Sequence, residues 1–229
     1  VLSKKSPLPL RRIRIGYSQR IFDRPTFERI VETELYPREF EDVMLAYRLS
    51  KHGHRGQFRH DQLTRYFDHC KSVALIIVLE CEVFLGKAIC VALMHDLKED
   101  AYILTWNDIV RIFKRDIYRG LRIITKERDK DYYRGILSVE PKDWWIMLVK
   151  LADRLHNLRT LLHEPQVFQR KQLAETERLY PGLIEVFRSK APKRFRHLAD
   201  FFSSELEYAC NRVYKQLGEQ KTTAFKHAA

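Results

Sequence analysis

Glycine and proline are scarce in this chain, eight of each among 229 residues, and that scarcity excludes a collagen-like or low-complexity protein. Long apolar runs are missing as well. The stretch from Ala74 to Val78 is soon interrupted by Glu80 and Glu82, so nothing approaches the roughly 20 apolar residues of a membrane-crossing helix. Cysteine is limited to Cys70, Cys81, Cys90 and Cys210, without a C-x-x-C pair. That pattern argues against a disulfide framework or a thiolate zinc site and reads as reduced, buried thiols in a soluble, cytoplasmic protein. Acidic residues are absent from the first twenty positions, where Lys4, Lys5, Arg11, Arg12, Arg14 and Arg20 stand unopposed and Pro7 and Pro9 forbid an early helix. This segment reads as a basic arm.

What is present describes a folded chain. Hydrophobic residues make up 45% and charged residues 31%, enough apolar material for a full core in one large or two small domains. Forty-two Lys and Arg against 30 Asp and Glu leave a formal charge of +12, which calls for an anionic partner: nucleic acid, an acidic membrane surface or a phosphate-rich small molecule.

Apolar residues recur at spacings of three and four, so the fold class is all-α. Pro25 and Pro37 suit the first turns of helices reaching about Leu35 and His52, with Gly53 and Gly56 bracketing a turn. Helices from about Phe67 to Glu82 and Gly86 to Leu97 have little polar face and should be buried at the centre. Thr105 with Asp108 resembles a capping box. Lys126 to Asp131 is charged throughout and reads as a solvated loop with a role in contacting an anion. From Trp144 to Leu162, Leu148, Leu151, Ala152, Leu155, Leu158 and Leu162 form one apolar stripe. Pro165, Pro181 and Pro192 divide the remainder into helices, the last ending near Leu217. The organisation expected is a basic arm over 1–24, a helical bundle over 25–190 and a C-terminal helix and tail over 191–229.

The densest polar constellation is His95-Asp96-Leu97-Lys98-Glu99-Asp100, at the end of an apolar run. On a continuous helix His95 and Glu99 lie one turn apart, as do Asp96 and Asp100. Three acids and an imidazole beside a core either surround a divalent cation or mark a helix end where the charges are solvated. In Lys150-Leu-Ala-Asp153-Arg154-Leu-His156-Asn157, Asp153 and Asn157 share an edge of the core stripe. They offer a metal oxygen and a hydrogen-bonding group for a sugar or phosphate, or else the wet edge of an amphipathic helix. His69, in Tyr66-Phe67-Asp68-His69, opens a buried helix, but spacing alone does not select it over His52, His54 or His60.

These segments together resemble the hydrolase domain of the RelA/SpoT homologue family, a branch of the HD phosphohydrolase superfamily that includes free-standing small alarmone hydrolases. The resemblance runs through Ala46-Tyr47, His54-Arg-Gly-Gln57-Phe58-Arg59, His69, Leu93-Met-His95-Asp96-Leu-Lys-Glu99-Asp100, Thr105-Trp-Asn-Asp108-Ile, Ile124-Thr125-Lys126 and Lys150-Leu-Ala-Asp153-Arg154-Leu-His-Asn157-Leu-Arg159-Thr160. It covers about Glu41 to Glu185. The resemblance implies a single HD-type helical bundle in which His69, His95, Asp96 and Asp153 bind one metal ion, typically Mn2+, while Glu99 and Asp100 activate or orient water. It implies further that Asn157 contacts the ribose and Arg59 lies against the base, and that the reaction removes the 3′-pyrophosphate of guanosine tetra- or pentaphosphate. Two imidazoles and two carboxylates are a donor set suited to Mn2+ with positions left for water and a phosphate oxygen. Lys98, Lys126, Arg128 and Lys130 are placed either to neutralise phosphates or on a solvated face.

One segment departs from the pattern. Where the family carries a Gly-Glu-Pro-Tyr type turn, this chain has His60-Asp-Gln-Leu-Thr-Arg65-Tyr66-Phe67, with no Gly or Pro and one extra residue, so the backbone beside the base should differ. Nothing resembling the family's synthetase portion is present in the sequence. The leading expectation is a manganese-dependent (p)ppGpp 3′-pyrophosphohydrolase with a nucleotide substrate and no membrane partner. The alternatives are phosphate removal from another nucleotide such as NADPH, and a regulatory or nucleic-acid-binding HD protein using the basic arm and the Arg188 to Arg196 surface. The complete set of four ligands and two acids favours catalysis over the last. The oligomeric state is left open.

Overall fold

A computed structural model describes residues 14–15, 22–59, 61–62, 64–100, 104–126, 132–219 and 224–225. Among these the chain is all-α, with an isolated antiparallel bridge between Phe58 and Arg65 and no strand. The helices are α1 (Arg24–Glu32), α2 (Pro37–Gly53), α3 (Tyr66–Leu75), α4 (Gly86–Met94), α5 (Leu97–Asp100), α6 (Trp106–Ile112), α7 (Arg115–Ile124), α8 (Tyr132–Leu137), α9 (Trp144–Thr160), α10 (Gln166–Lys190) and α11 (Leu198–Leu217). No helix of the described residues is long and apolar enough to cross a membrane.

α4 is the axle of the fold. Residues Ala88 to Met94 are at most 1% exposed, because α2, α3, α7 and α9 surround them. A helix that is apolar all round has no wet face to turn outward, which is why it sits at the centre. α9 is the second buried element, packed by α3 and α4 on one side and by α10 and α11 on the other. A single apolar cluster runs from Ile15 through α11 to Phe225. Gly120 lets α7 approach α9 closely: a Cβ there would lie 2.5 Å from the Trp145 ring and 3.0 Å from Val91.

Helix ends follow their local chemistry. Asp23 caps α1 by accepting from the Thr26 amide at 2.9 Å. Thr105 and Asp108 form the reciprocal capping box that opens α6. Gly218, at φ 71°, closes α11 in the left-handed conformation. All four cysteines are buried and free. Of the first twenty residues, Arg14 and Ile15 are described, and both are held: Arg14 pairs with Glu205 at 2.8 Å, and the Ile15 amide donates to Glu80 at 2.8 Å. Lys4, Lys5, Arg11, Arg12 and Arg20 lie outside the described residues.

Three helix boundaries differ from the expected ones. The helix predicted over Phe67 to Glu82 is α-helical only to Leu75 and widens into a π-helix over Ile76–Glu80, which turns the Glu80 carboxylate onto Arg159. The helix predicted from Gly86 to Leu97 breaks at His95 and Asp96 and resumes as α5. Adjacent residues on a continuous helix point about 100° apart. The break lets both side chains face one point. Pro181 does not divide two helices but lies inside α10. The face of Tyr180, Leu183, Ile184 and Phe187 is wholly buried against the bundle, and this packing outweighs the lost backbone hydrogen bond.

Candidate metal centre

Three helices converge on one polar pocket within the core. α3 presents His69 in its first turn, the break after α4 presents His95 and Asp96, and the middle of α9 presents Asp153. His69 Nε2 lies 3.2 Å from His95 Nε2, 3.3 Å from Asp153 Oδ1 and 3.6 Å from Asp96 Oδ2. His95 Nε2 lies 3.2 Å from Asp96 Oδ2 and 3.5 Å from Asp153 Oδ1. Ligand atoms at about 2.1 Å from one ion are separated by about 3.0 to 3.5 Å when they are neighbours around it. The spacing therefore fits a single divalent cation. His69, His95 and Asp96 form the tightest group, with ligand atoms all within 4.8 Å of one another; Asp153 joins through both imidazoles.

The groups of this cluster are strongly coupled electrostatically. Burial disfavours the charged forms of Asp96 and Asp153, yet His95 holds the first carboxyl, and Lys150 with both imidazoles holds the second, below the usual carboxylate range. Burial likewise opposes a charged His95, but Asp96 and Asp153 more than offset it and raise its pKa well above the ordinary value. His69, buried and facing the Arg59 charge, is pushed down to about 4 and is neutral at pH 7, as a metal-binding imidazole must be.

A second layer fixes these groups. His95 Nδ1 lies 2.8 Å from the Ala92 carbonyl, which can only accept, so Nδ1 carries a proton and Nε2 is the nitrogen left to face a metal ion. His69 Nδ1 lies 2.8 Å from His156 Nδ1. Lys150 donates to Asp153 Oδ2 at 2.7 Å, and Asn157 donates to Asp153 Oδ1 at 2.6 Å. Tyr66 donates its hydroxyl to Asp96 Oδ2 at 2.9 Å, while its ring stacks on His54 at 4.8 Å.

The remaining predicted residues are distributed around this group. Arg59 donates to Asn157 Oδ1 at 2.9 Å and leans over the Tyr66 ring, so both stand at the centre's edge. Glu99 accepts from the Lys126 amide at 2.6 Å, and burial raises its pKa. Lys126 extends its ammonium over the Tyr132 ring, which Lys150 also approaches. Lys98 turns instead to the Leu104 carbonyl at 2.7 Å and the Trp106 ring. Asp100 ends α5, its side chain outside the described residues, as are Arg128 and Lys130.

The divergent segment before His69 forms a tight loop. The Arg59 amide donates to Thr64 O at 2.8 Å, and Tyr66 N donates to Gln57 O at 3.0 Å. Asp61 Oδ1 accepts from the Thr64 amide at 2.8 Å. Gln62 takes φ 56°, a left-handed conformation that usually favours glycine. Beyond this segment, His69 points into the centre.

No protein-family profile matches the chain. Among curated proteins it is 31% identical over 150 residues to the GTP pyrophosphokinase rsh of Brucella ovis, covering 59% of this chain and 19% of that one. It is 26% identical over 171 residues to the bifunctional (p)ppGpp synthase/hydrolase SpoT of Escherichia coli K12, covering 69% and 23%. The chain is similar to RelA/SpoT proteins over part of their length. It spans about a fifth of the length of the curated relatives it matches. Its fold is that of a solved metazoan ortholog of SpoT, described as hydrolysing ppGpp and acting in starvation responses, at 23% identity and a TM-score of 0.57 over 81% of this chain and 99% of that one.

Sequence reasoning assigned no role to Tyr66, Lys150 or His156, although all three stand inside the quoted motifs. The signal for two of them is helical: Lys150 and His156 lie three residues before and after Asp153 on α9. Tyr66 is brought to Asp96 by tertiary packing alone.

Proposed function

We propose that this chain hydrolyses the 3′-pyrophosphate of guanosine tetra- and pentaphosphate, in the cytoplasm and with Mn2+ bound by His69, His95, Asp96 and Asp153, releasing pyrophosphate and GDP or GTP. The observation that carries the proposal is that His69 Nε2 and His95 Nε2 lie 3.2 Å apart and each reaches both Asp96 Oδ2 and Asp153 Oδ1 at 3.2 to 3.6 Å. Its support from relatives is chemical as well as structural. One, from Escherichia coli O157:H7, is named guanosine-3′,5′-bis(diphosphate) 3′-pyrophosphohydrolase and is 26% identical over 171 residues.

When bound, the metal supplies Lewis acidity toward a phosphate oxygen and a water acidic enough to ionise near neutral pH. The chain's own groups do the rest. Glu99, its pKa raised by burial, receives the proton of the attacking water and returns one to the ribose 3′ oxygen as its bond to phosphorus breaks. Asp100 orients that water. Asn157 holds the ribose, Arg59 covers the base, and Lys126 meets phosphate charge at the rim; Lys98 joins it only by leaving the Leu104 carbonyl.

The test is incubation of the manganese-loaded chain with ppGpp, pppGpp, NADPH and simple 3′-nucleotides, with products separated by chromatography. Pyrophosphate released from ppGpp and lost in Asp96→Ala is the expected result. Cleavage of NADPH alone would move the assignment to another nucleotide. Salt-sensitive RNA binding with no turnover of any nucleotide would overturn the enzymatic reading.

A further inference from the structure

We infer that His156 is a positioning residue that holds His69 in the single tautomer able to bind a metal ion. The inference rests on His69 being a ligand and concerns what stands behind it. His69 Nδ1 and His156 Nδ1 are 2.8 Å apart, and the rings are only 1% and 4% exposed, so water does not settle the contact. Two ring nitrogens at this distance share one proton: two protons would collide, and none would set lone pair against lone pair.

The far side of His69 decides which ring carries that proton. Nε2 faces His95, Asp153 and Asp96, and it can offer a lone pair to a cation only if it is bare. A neutral His69 then bears its proton on Nδ1 and donates it to His156. His156 must accept through Nδ1 and keep its own proton on Nε2. The two imidazoles of the centre therefore differ in how firmly they are set. His95 leans on the Ala92 carbonyl, an acceptor with no alternative. His69 leans on an imidazole that can donate or accept, and in the reversed arrangement Nε2–H of His69 points at Asp153 and closes the ligand position. Because α9 carries both Asp153 and His156 three residues apart, one rigid helix supplies a ligand and the group that prepares its neighbour.

The experiment is calorimetric titration of the full chain with Mn2+ in the absence of nucleotide, with thermal melts of the metal-free proteins in parallel. His156→Asn can place an amide oxygen where Nδ1 stands and is expected to keep the affinity within about threefold. His156→Leu removes the acceptor and is expected to weaken Mn2+ binding by about 10 to 100-fold. Equal affinity of wild type and a folded His156→Leu overturns the inference while leaving the metal reading intact. Failure of the wild type to bind Mn2+ overturns both. Should His156→Leu not fold, 15N imidazole spectra of the Zn2+-loaded wild type decide: a proton on His156 Nε2 supports the inference, and one on its Nδ1 overturns it.

Discussion

The Arg59 guanidinium donates to Asn157 Oδ1 at 2.9 Å, bridging residues 98 positions apart, and Asn157 donates in turn to Asp153 Oδ1 at 2.6 Å. Arginine, amide and carboxylate are thus one hydrogen-bonded chain. In the proposed reading, a nucleotide entering the site exchanges the first of these bonds for its own.

Arg59→Ala should therefore raise KM for ppGpp about tenfold with little change in kcat, since the lost contact is made in the ground state as well as the transition state. Asn157→Ala should lower kcat too, because Asp153 loses a partner. Steady-state kinetics of the single and double variants should show a coupling of about 0.5 to 3 kcal/mol. Strict additivity would dissociate the two residues.

Tyr66→Phe keeps the ring against His54 and deletes only the hydroxyl that donates to Asp96 Oδ2. The expected result is a several-fold rise in the Mn2+ concentration for half-maximal activity, near-normal kcat at saturating metal, and a stability loss of about 0.5 to 1.5 kcal/mol. Metal titrations at fixed ppGpp check the first two, and urea melts the third.

Glu99 carries a pKa raised by burial, so it remains protonated to a higher pH than an exposed glutamate. In the proposed role of taking the proton from water it must be ionised. Activity should accordingly fall on the acid side at a pH above the ordinary glutamate range and recover as pH rises through the raised value. Glu99→Gln should lower kcat by about 100 to 10,000-fold and remove that limb from the kcat/KM profile.

Arg159 is fully buried between Glu80, at 2.6 and 2.9 Å, and Glu205, at 2.8 Å, and also donates to the Ile15 carbonyl at 2.8 Å. Arg159→Met leaves two largely buried carboxylates without their shared cation. A loss of about 3 to 5 kcal/mol is expected by chemical denaturation. A triple change that also replaces Glu80 and Glu205 with apolar residues should recover much of it.

The residues proposed as ligands stand in compact motifs, and His95, Asp96 and Asp153 belong to stretches whose apolar pattern is strong. His69 was the exception: its motif lacks the usual turn residues, and only the fold, with Gln62 in the left-handed region, brings it beside His95. Capping by Thr105 and Asp108 is local chemistry and was readable as such. The break at His95 and Asp96 was not, since an apolar run followed by charges reads equally well as one helix. Pro181 misled for a related reason: local propensity marks a boundary, and burial of Tyr180, Ile184 and Phe187 overrides it. Tyr66 reaches Asp96 across 30 positions, which no local pattern encodes, and the spacing of His156 from Asp153 gives its helix face but not its partner His69, 87 positions away.

Enclosure of α4 on every side has a kinetic corollary for the centre. His95 and Asp96 follow directly from this helix, and Asp153 and His156 lie in the interior of α9, so no fraying end or surface loop can release them on its own. Amide hydrogens of Val91 to Met94 and of Leu151 to Leu155 should then exchange only through the global unfolding reaction, and α1 and α6 well before them. The side chains proposed to hold a metal ion therefore stay assembled for as long as the bundle itself does.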